Sequence, residues 1–535
     1  MIHVLETIGH PGKTLRIAAI SAVWGLIGPA YGLGPGVDAA LQESLQAGMA
    51  PPGVTALYEE RGFQPVWLDG GRREELARAL RSLADHGLEP GDLGAEDLSA
   101  SGIAEDDAKA LARRDVRLTA ALAEATRQVS VGKVNPRRLY SEWNFAPLPE
   151  PLEFAQTLKG VLSASNLAAG LDAAAPQGEE YAGLRQALAH YRQLASLGPW
   201  PKVGAGPTLK PGMTDPRVVA LRARMEAEGE AVAAPASRRS VFDSGLAAAV
   251  ARFQARQGLE PDGAVGSRTL GALNVSVEER IAQIRVNLER LRWVARDRVG
   301  DHLMVDIPGY SARLYLDGRR VWDSRVIVGK PYRKTPAFRA ELTYLVLNPR
   351  WVVPPTILRE DVIPKVARDP AYLAAHSMTV VDGAGHPVLA EAIDWQHYAQ
   401  GGFPYQIVQV PGPKNPLGQI KFMLPNPHAI YLHDTPSRRL FQRSERAESS
   451  GCIRLEKPLE LAVQLLDDPA RWTLPQIQAA LDAQATRTVS VKRRVPVLIL
   501  YFTAQADKDG VVAFRQDLYG RDPEVLAALA RPVRF

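Results

Sequence analysis

At 535 residues, 46% of them hydrophobic, the chain is too long for a single core and should divide into several domains. A formal net charge of +5 suits an anionic polymer without requiring one. Basic pairs such as Arg438-Arg439 and Arg493-Arg494 read as solvated loops, and with no recognition motif beside them nucleic acid is not an expected partner. Cys452 is the only cysteine, which excludes an intramolecular disulfide and the paired thiolates of a structural zinc site. No HExxH helix occurs, so neither a metal nor another cofactor is expected.

Residues 1–32 contain Lys13 and Arg16, then a twelve-residue apolar run from Ile17 to Gly28. The run is short for a membrane span, which needs about 20 residues. It fits the apolar part of a secretory signal with Pro29-Ala30-Tyr31-Gly32 near a cleavage site, or an uncleaved N-terminal anchor at the inner membrane. From 38 to 205 the pattern is helical. Leu76, Leu80 and Leu83 share one face before His86-Gly87. Leu111, Leu118, Leu122 and Val129 share another, and Tyr181, Leu184, Leu188 and Tyr191 a third. These stripes are core, and no chemistry is assigned to them.

Residues 207–275 form a compact segment bounded by Pro/Gly-rich sequence. Leu246, Ala249, Val250 and Phe253 make an amphipathic helix, and Gly258-Leu259, Asp262-Gly263 and Gly266 turn the chain before Thr269. The pattern FQxxxGLxxDGxxGxxT resembles the three-helix peptidoglycan-binding module. The alternative is a helical spacer without a ligand. Arg222, Arg224 and Arg252 are expected, on charge alone, to meet stem-peptide carboxylates. Residues 276–299, with Ile281, Ile284, Leu288 and Leu291 apolar, read as a linker helix.

From 300 to 535 the period changes to two. Leu303–Ile307 and Ala312–Leu316 alternate, and Asp317-Gly318 supplies a type I′ hairpin before Val321–Val328. Leu342–Leu347 is another strand. Residues 351–416, rich in Pro and Gly, interrupt the strands and are expected to cap the site. Val495–Phe502 and Asp509–Val512 read as a last hairpin completing the sheet.

Within this domain, Ala429–Leu432 reads as a strand opening at His433, and Ser449-Ser450-Gly451-Cys452 as a small, flexible turn. Pro458, Leu459, Ala462, Val463 and Leu466 then mark a helix. A thiol is mostly protonated at neutral pH, so a nearby imidazole that takes its proton raises the reactive fraction. Backbone N–H groups in the turn would hold an oxyanion. A lone cysteine is otherwise a packing residue. His433 precedes Cys452 by 19 positions, an order and spacing unlike the papain and caspase signatures.

His433 and the run Ser449-Ser450-Gly451-Cys452-Ile453-Arg454 resemble the active-site motif of L,D-transpeptidases with a YkuD-type catalytic domain. Many members have His where this chain has Ser450. The longer match (HDTP, Phe441, Arg446, Gly329-Lys330-Pro331, Lys334-Thr335-Pro336, Trp351) is similar to the large periplasmic, YcbB-like branch. Tyr58–Trp67 and Gly132–Pro136 resemble that branch's scaffold.

The resemblance implies a multidomain α+β protein. It would hold a helical scaffold, a peptidoglycan-binding module and a β-sandwich-like catalytic domain with an inserted capping subdomain. It implies Cys452 as nucleophile, His433 as base, the Asp434 carbonyl as its orienting group, and Gly451, Cys452 and Ser450 N–H groups as oxyanion donors. Arg454, Tyr431, Trp351 and Ser449 would line the substrate pocket, Arg454 either binding a carboxylate or making a structural ion pair. Peptidoglycan stem peptides are the implied partners, with other wall-synthesis proteins as candidates. The implied place is the periplasm, and carbapenems would acylate Cys452.

Overall fold

The computed structural model describes residues 36–48, 50–94 and 107–533, and the apolar segment Ile17–Gly28 lies outside them. Seven helices begin the described chain: α1 (Val37–Gln46), α2 (Pro52–Glu60), α3 (Gly70–Arg81), α4 (Ala108–Val131), α5 (Pro151–Ser163), α6 (Leu167–Ala174) and α7 (Glu179–Ser196). The apolar stripes fall on α3 with the 3-10 turn Ser82–His86 that follows it, on α4 and on α7, and meet in one core with Trp67 and Leu158. Asp115 of α4 is buried there, accepting from the Val66 and Trp67 N–H groups and the Tyr58 hydroxyl. Burial raises the Asp115 pKa, and those donors offset the cost of desolvation.

Helices α8 (Arg217–Ala227), α9 (Ser244–Arg256) and α10 (Ser267–Leu273) enclose a separate small core around Leu221, Val250 and Phe253. Gln254 ties its loops together, accepting from Gly263 N–H and donating to the Ala264 carbonyl and the Asp262 carboxylate. Two of the three arginines expected to meet carboxylates are buried. Arg222 is buried and donates to the Val232 and Val241 carbonyls, and Arg224 is fully buried on the Leu273 carbonyl and over the Trp200 ring. Arg252 pairs with Glu230 at 2.5 Å. Arg222 and Arg224 stitch loops to helices, so the carboxylate-binding expectation fails for these two, while Arg252 stays exposed beside Glu230.

Helix α11 (Val277–Val294) does more than join two domains. Ser276 and Glu279 cap its start, and its residues from Val286 to Val294 are buried all round. Glu289 pairs with Arg292 at 2.7 Å, and Arg290 pairs with Asp522 at 2.6 Å. It is a pillar of the scaffold core, with its charges neutralised in place.

Fifteen strands follow: β1 (His302–Asp306), β2 (Ser311–Leu316), β3 (Arg319–Gly329), β4 (Arg339–Leu347), β5 (Trp351–Val352), β6 (Met378–Val381), β7 (Pro387–Val388), β8 (Gln406–Gln409), β9 (Ile420–Met423), β10 (Leu432–His433), β11 (Ala447–Ser449), β12 (Ile453–Leu455), β13 (Arg487–Leu500), β14 (Ala504–Ala506) and β15 (Val512–Phe514). Nine form one sheet in the order β11-β3-β12-β10-β9-β4-β13-β1-β2, and a further β2–β3 pairing closes it on itself. Asp317 and Gly318 both take positive φ, 50° and 71°, as the type I′ turn between β2 and β3 requires. In β1 alternation gives way to burial on both faces, because one face meets the domain core through Val305 and the other meets the scaffold through Met304.

Two expectations fail in this domain. Val495–Leu500 does join the main sheet as the end of β13, but it forms no hairpin with Asp509–Val512: Val512 opens β15, which pairs with β14 in a sheet of its own. Helix α11 intercepts the chain at Thr503, whose N–H donates to Asn287 and whose carbonyl accepts from Gln283, so Phe514 and Val512 pack into the scaffold core. Ala429 is not strand but a turn residue with φ 53°, and the strand shrinks to Leu432–His433.

The insertion has a sheet of its own, in the order β5-β8-β6-β7, and short helical pieces between residues 355 and 398. Its core gathers Trp351, Val366, Val380, Trp395 and Ile407, with Tyr431 of the main domain packed against it.

Candidate active site

Strand pairing sets the two chemically active side chains on one face of the sheet. β10 lies between β9 and β12, with Leu432 opposite Ile453, and His433 opposite both Arg454 and Lys421. Leu432, Ile453 and Phe422 are fully buried in the domain core. Side chains alternate along strands, so Tyr431, His433, Cys452, Arg454 and Lys421 share the opposite face. Diagonal neighbours on adjacent strands sit roughly 7–8 Å apart, so Cys452 and His433 face one cleft, without a hydrogen bond between them in this structure. That face floors a cleft of about 800 Å³, roofed by Trp351, Val352, Pro354 and Ile357 of the insertion.

His433 is buried, and its Nδ1–H donates to the Asp434 carbonyl at 2.5 Å, which leaves Nε2 as the acceptor. The Asp434 carboxylate accepts from Gln419 N–H at 2.8 Å and pairs with Arg438 at 3.0 Å. Gly418 is required beside it, since a Cβ there would lie 2.3 Å from the Asp434 carboxylate oxygen. Burial and the Arg454 guanidinium push the His433 pKa down to about 3, with Lys421 adding to the shift, so the imidazole is neutral near pH 7.

Cys452 is half-buried, with its Sγ 3.9 Å from the Ala429 carbonyl. Burial raises the thiol pKa, and Tyr431, Lys421 and Arg454 pull it partly back. The resting pair is therefore thiol and neutral imidazole.

The turn before Cys452 is built by its neighbours. Ser449 is buried; its Oγ donates to the Cys452 carbonyl at 2.6 Å and accepts from Gly451 N–H at 3.1 Å. Gly451 has φ 116°, a conformation side-chain-bearing residues avoid. Its N–H is thus committed to Ser449, against the expectation that it serves as an oxyanion donor. The Ser450 and Cys452 N–H groups have no partner in the chain among the described residues. The turn is followed by strand β12, not directly by the helix Pro458–Leu466.

Several residues of the site were not expected from sequence. Thr335 Oγ1 accepts from Gly329 N–H at 2.9 Å and donates to the Gly451 carbonyl at 2.7 Å. Tyr519 donates to the Gly329 carbonyl at 2.7 Å and accepts from Thr335 N–H at 3.1 Å, so the C-terminal segment braces the thiol turn. Arg333 joins the turn to the insertion, donating to Ser450 Oγ at 2.9 Å, Asp361 at 2.5 Å and Glu360 at 2.7 Å. Both acids lie in a wide helical turn, Leu358–Val362, of the kind found at functional sites. Lys421 places its Nζ 3.9 Å from the centre of the Tyr431 ring. Its one sequence signal is a lone charge inside the apolar run Ile420–Met423. Tyr431 also packs on His433, with ring centres 5.6 Å apart.

Residues 300–495 match the family model described as the L,D-transpeptidase catalytic domain, called YkuD. The chain carries a YkuD-type L,D-transpeptidase domain. Residues 52–188 match a scaffold domain model and residues 214–273 the model titled "Putative peptidoglycan binding domain". A Haemophilus influenzae protein titled "Putative L,D-transpeptidase" is 38% identical over 251 residues, which are 47% of this chain and 50% of that relative. The match thus spans about half the length of each protein. Among solved structures, an L,D-transpeptidase from Mycobacterium smegmatis is similar at 14% identity and TM-score 0.18, over 37% of this chain and 58% of that one. Another from Xylanimonas cellulosilytica is similar at 15% identity and TM-score 0.18, over 55% of this chain and 98% of that one. Both superpositions are loose. The transpeptidase domain holds Cys452, His433 and every other residue of the cleft except those supplied by the scaffold and the C-terminal segment, such as Glu142 and Arg521.

Proposed function

We propose that the chain is a peptidoglycan L,D-transpeptidase that forms 3→3 cross-links. The observation that carries this is the shared strand face holding Cys452, His433 and two cations beneath an inserted roof. Nε2 of His433 takes the thiol proton as Cys452 Sγ attacks the carbonyl of the third stem residue, meso-diaminopimelate by the family resemblance. The N–H groups of Cys452 and Ser450 receive the oxyanion. The C–N bond to D-alanine breaks, the imidazolium returns its proton to the departing amine, and a thioester remains on Cys452. A second diaminopimelate amine then attacks the thioester, giving up a proton to His433, and the thiol is regenerated. The Asp434 carbonyl holds the imidazole in the tautomer both steps need.

Arg454 supports a substrate carboxylate, not a structural ion pair. Its guanidinium has no ion-pair partner among the described residues, and its Nε is buried without a hydrogen bond. Trp351 and Tyr431 wall the donor site. The roof favours transfer over hydrolysis, because an acyl-enzyme open to water loses its acyl group. Work at the wall places the protein outside the cytoplasm, in the periplasm on this reading. No helix among the described residues is long and apolar enough to cross a membrane.

The test is product analysis with purified full-length protein and disaccharide-tetrapeptide. Cross-linked dimers with free D-alanine support the reading. Tripeptide alone would assign the acyl group to water, and exchanged tetrapeptide to a free D-amino acid. Transfer to a lysine appears only if a lipoprotein peptide is supplied. An unchanged substrate would leave a wall-binding scaffold.

A further inference from the structure

His433 is flanked across the sheet by a cation on each side. Lys421 on β9 and Arg454 on β12 are both in register with it. A cation beside a general base is unfavourable unless an anion joins the set, because it opposes protonation of the imidazole. Among the described residues no carboxylate comes within ion-pair distance of either side chain; Glu448 acts on Arg454 only from farther off, and Arg454 Nε is buried without a hydrogen bond.

Lys421 is the stranger of the two. Its strand neighbours Ile420 and Phe422 are fully buried, and Lys421 itself is half-buried. A lysine in such a place ordinarily sends its ammonium to solvent or to an acid. Here the ammonium instead lies over the Tyr431 ring, and Tyr431 is the residue level with Cys452. The charge therefore leans from the row of the base toward the row of the nucleophile. It lines the cleft, and among the described residues its partner is that aromatic face.

We propose that Lys421 is the specificity residue that binds the free carboxylate of the donor's terminal residue, the residue that leaves. The assignment rests on the transpeptidase reading above. In a donor whose chain ends one residue beyond the attacked carbonyl, the carboxylate lies within one residue's reach of Cys452. In a donor one residue longer it is carried a further 3.3–3.6 Å or so along an extended chain. A fixed ammonium beside the nucleophile thus measures where the peptide ends. No change in the chemistry is needed: Sγ–C forms, C–N breaks, the leaving amine gains the proton from His433, and the terminal carboxylate departs still ionised.

The experiment uses full-length protein and two synthetic tetrapeptide donors that differ only in ending as a carboxylate or a carboxamide. Rates of thioester formation on Cys452 are read by intact-mass spectrometry for wild type, Lys421→Met, Lys421→Arg and Arg454→Met. The wild type is expected to prefer the acid by about 10- to 100-fold, the range for losing a charge-assisted hydrogen bond. Lys421→Met should bring the two donors within about threefold by slowing the acid alone, and Lys421→Arg should keep most of the preference. The acid-to-amide ratio does not depend on how much of a variant is folded. Equal wild-type rates on the two donors overturn the assignment and leave the transpeptidase reading intact. So does a preference that survives Lys421→Met, is lost only in Arg454→Met, or is accompanied in Lys421→Met by equal slowing of both donors. A wild type that forms no adduct with either donor removes the transpeptidase reading and this assignment with it.

Discussion

Thr335→Val tests how the thiol turn is held. The substitution keeps the side-chain volume and removes one oxygen. That oxygen accepts from Gly329 N–H at 2.9 Å and donates to the Gly451 carbonyl at 2.7 Å, both groups being buried. An orphaned buried backbone group costs about 1–3 kcal/mol, so the pair would cost about 2–6 kcal/mol if nothing moved. The turn can lower that cost only by moving Gly451, and with it the Ser450 and Cys452 N–H groups. A displaced oxyanion donor typically costs about 3–4 kcal/mol of barrier when lost outright, and a partial shift should slow acylation about 10- to 100-fold. The assay is the rate of Cys452 acylation by a carbapenem, followed by intact mass, with Thr335→Ser as the control that restores the oxygen. Tyr519→Phe, which removes the hydroxyl that binds Gly329 and Thr335, should act in the same direction more weakly. Acylation of Thr335→Val within twofold of wild type would refute the view that this oxygen sets the geometry of the turn.

Two further outcomes follow from charge and its placement. The His433 pKa is held down to about 3, against roughly 6.5 in an unfolded chain. Between those values the unfolded state binds a proton the folded state refuses, so this contribution is fully present above about pH 6.5 and is lost as pH falls toward 3. Urea midpoints at pH 7 and pH 4.5 should therefore differ more for wild type than for His433→Gln, and equal differences contradict the assignment. Arg333→Met should free the insertion from the Ser450 turn by removing the contacts to Glu360 and Asp361. These pairs are partly exposed and worth at most about 1 kcal/mol each, so the fold should persist. The ratio of tripeptide to cross-linked dimer should rise, and an unchanged ratio would show that Arg333 does not hold the roof.

The chemistry of this site is local in sequence and the architecture around it is not. Cys452, Gly451 and Ser449 act within one turn, and His433 lies one strand away, so their association is readable from residue types and order. Lys421 is hidden because its meaning depends on which strand lies beside β10. The hairpin of β14 and β15 alternates as any strand pair does, and alternation carries no information about which layer it joins. Thr503, pinned by Asn287 and Gln283 of α11, decides that question. The same helix reads as a linker because Glu289, Arg290 and Arg292 make it look exposed, whereas their partners bury them. The strands of the insertion, two to four residues long, are too short to show a period.

The most direct measurement is the intact mass of the full chain after brief incubation with a tetrapeptide donor, beside Cys452→Ala. The expected adduct equals the donor less D-alanine, sits on Cys452 and is missing from the variant. No adduct on the wild type, or an equal adduct on Cys452→Ala, would rule out Cys452 as the nucleophile.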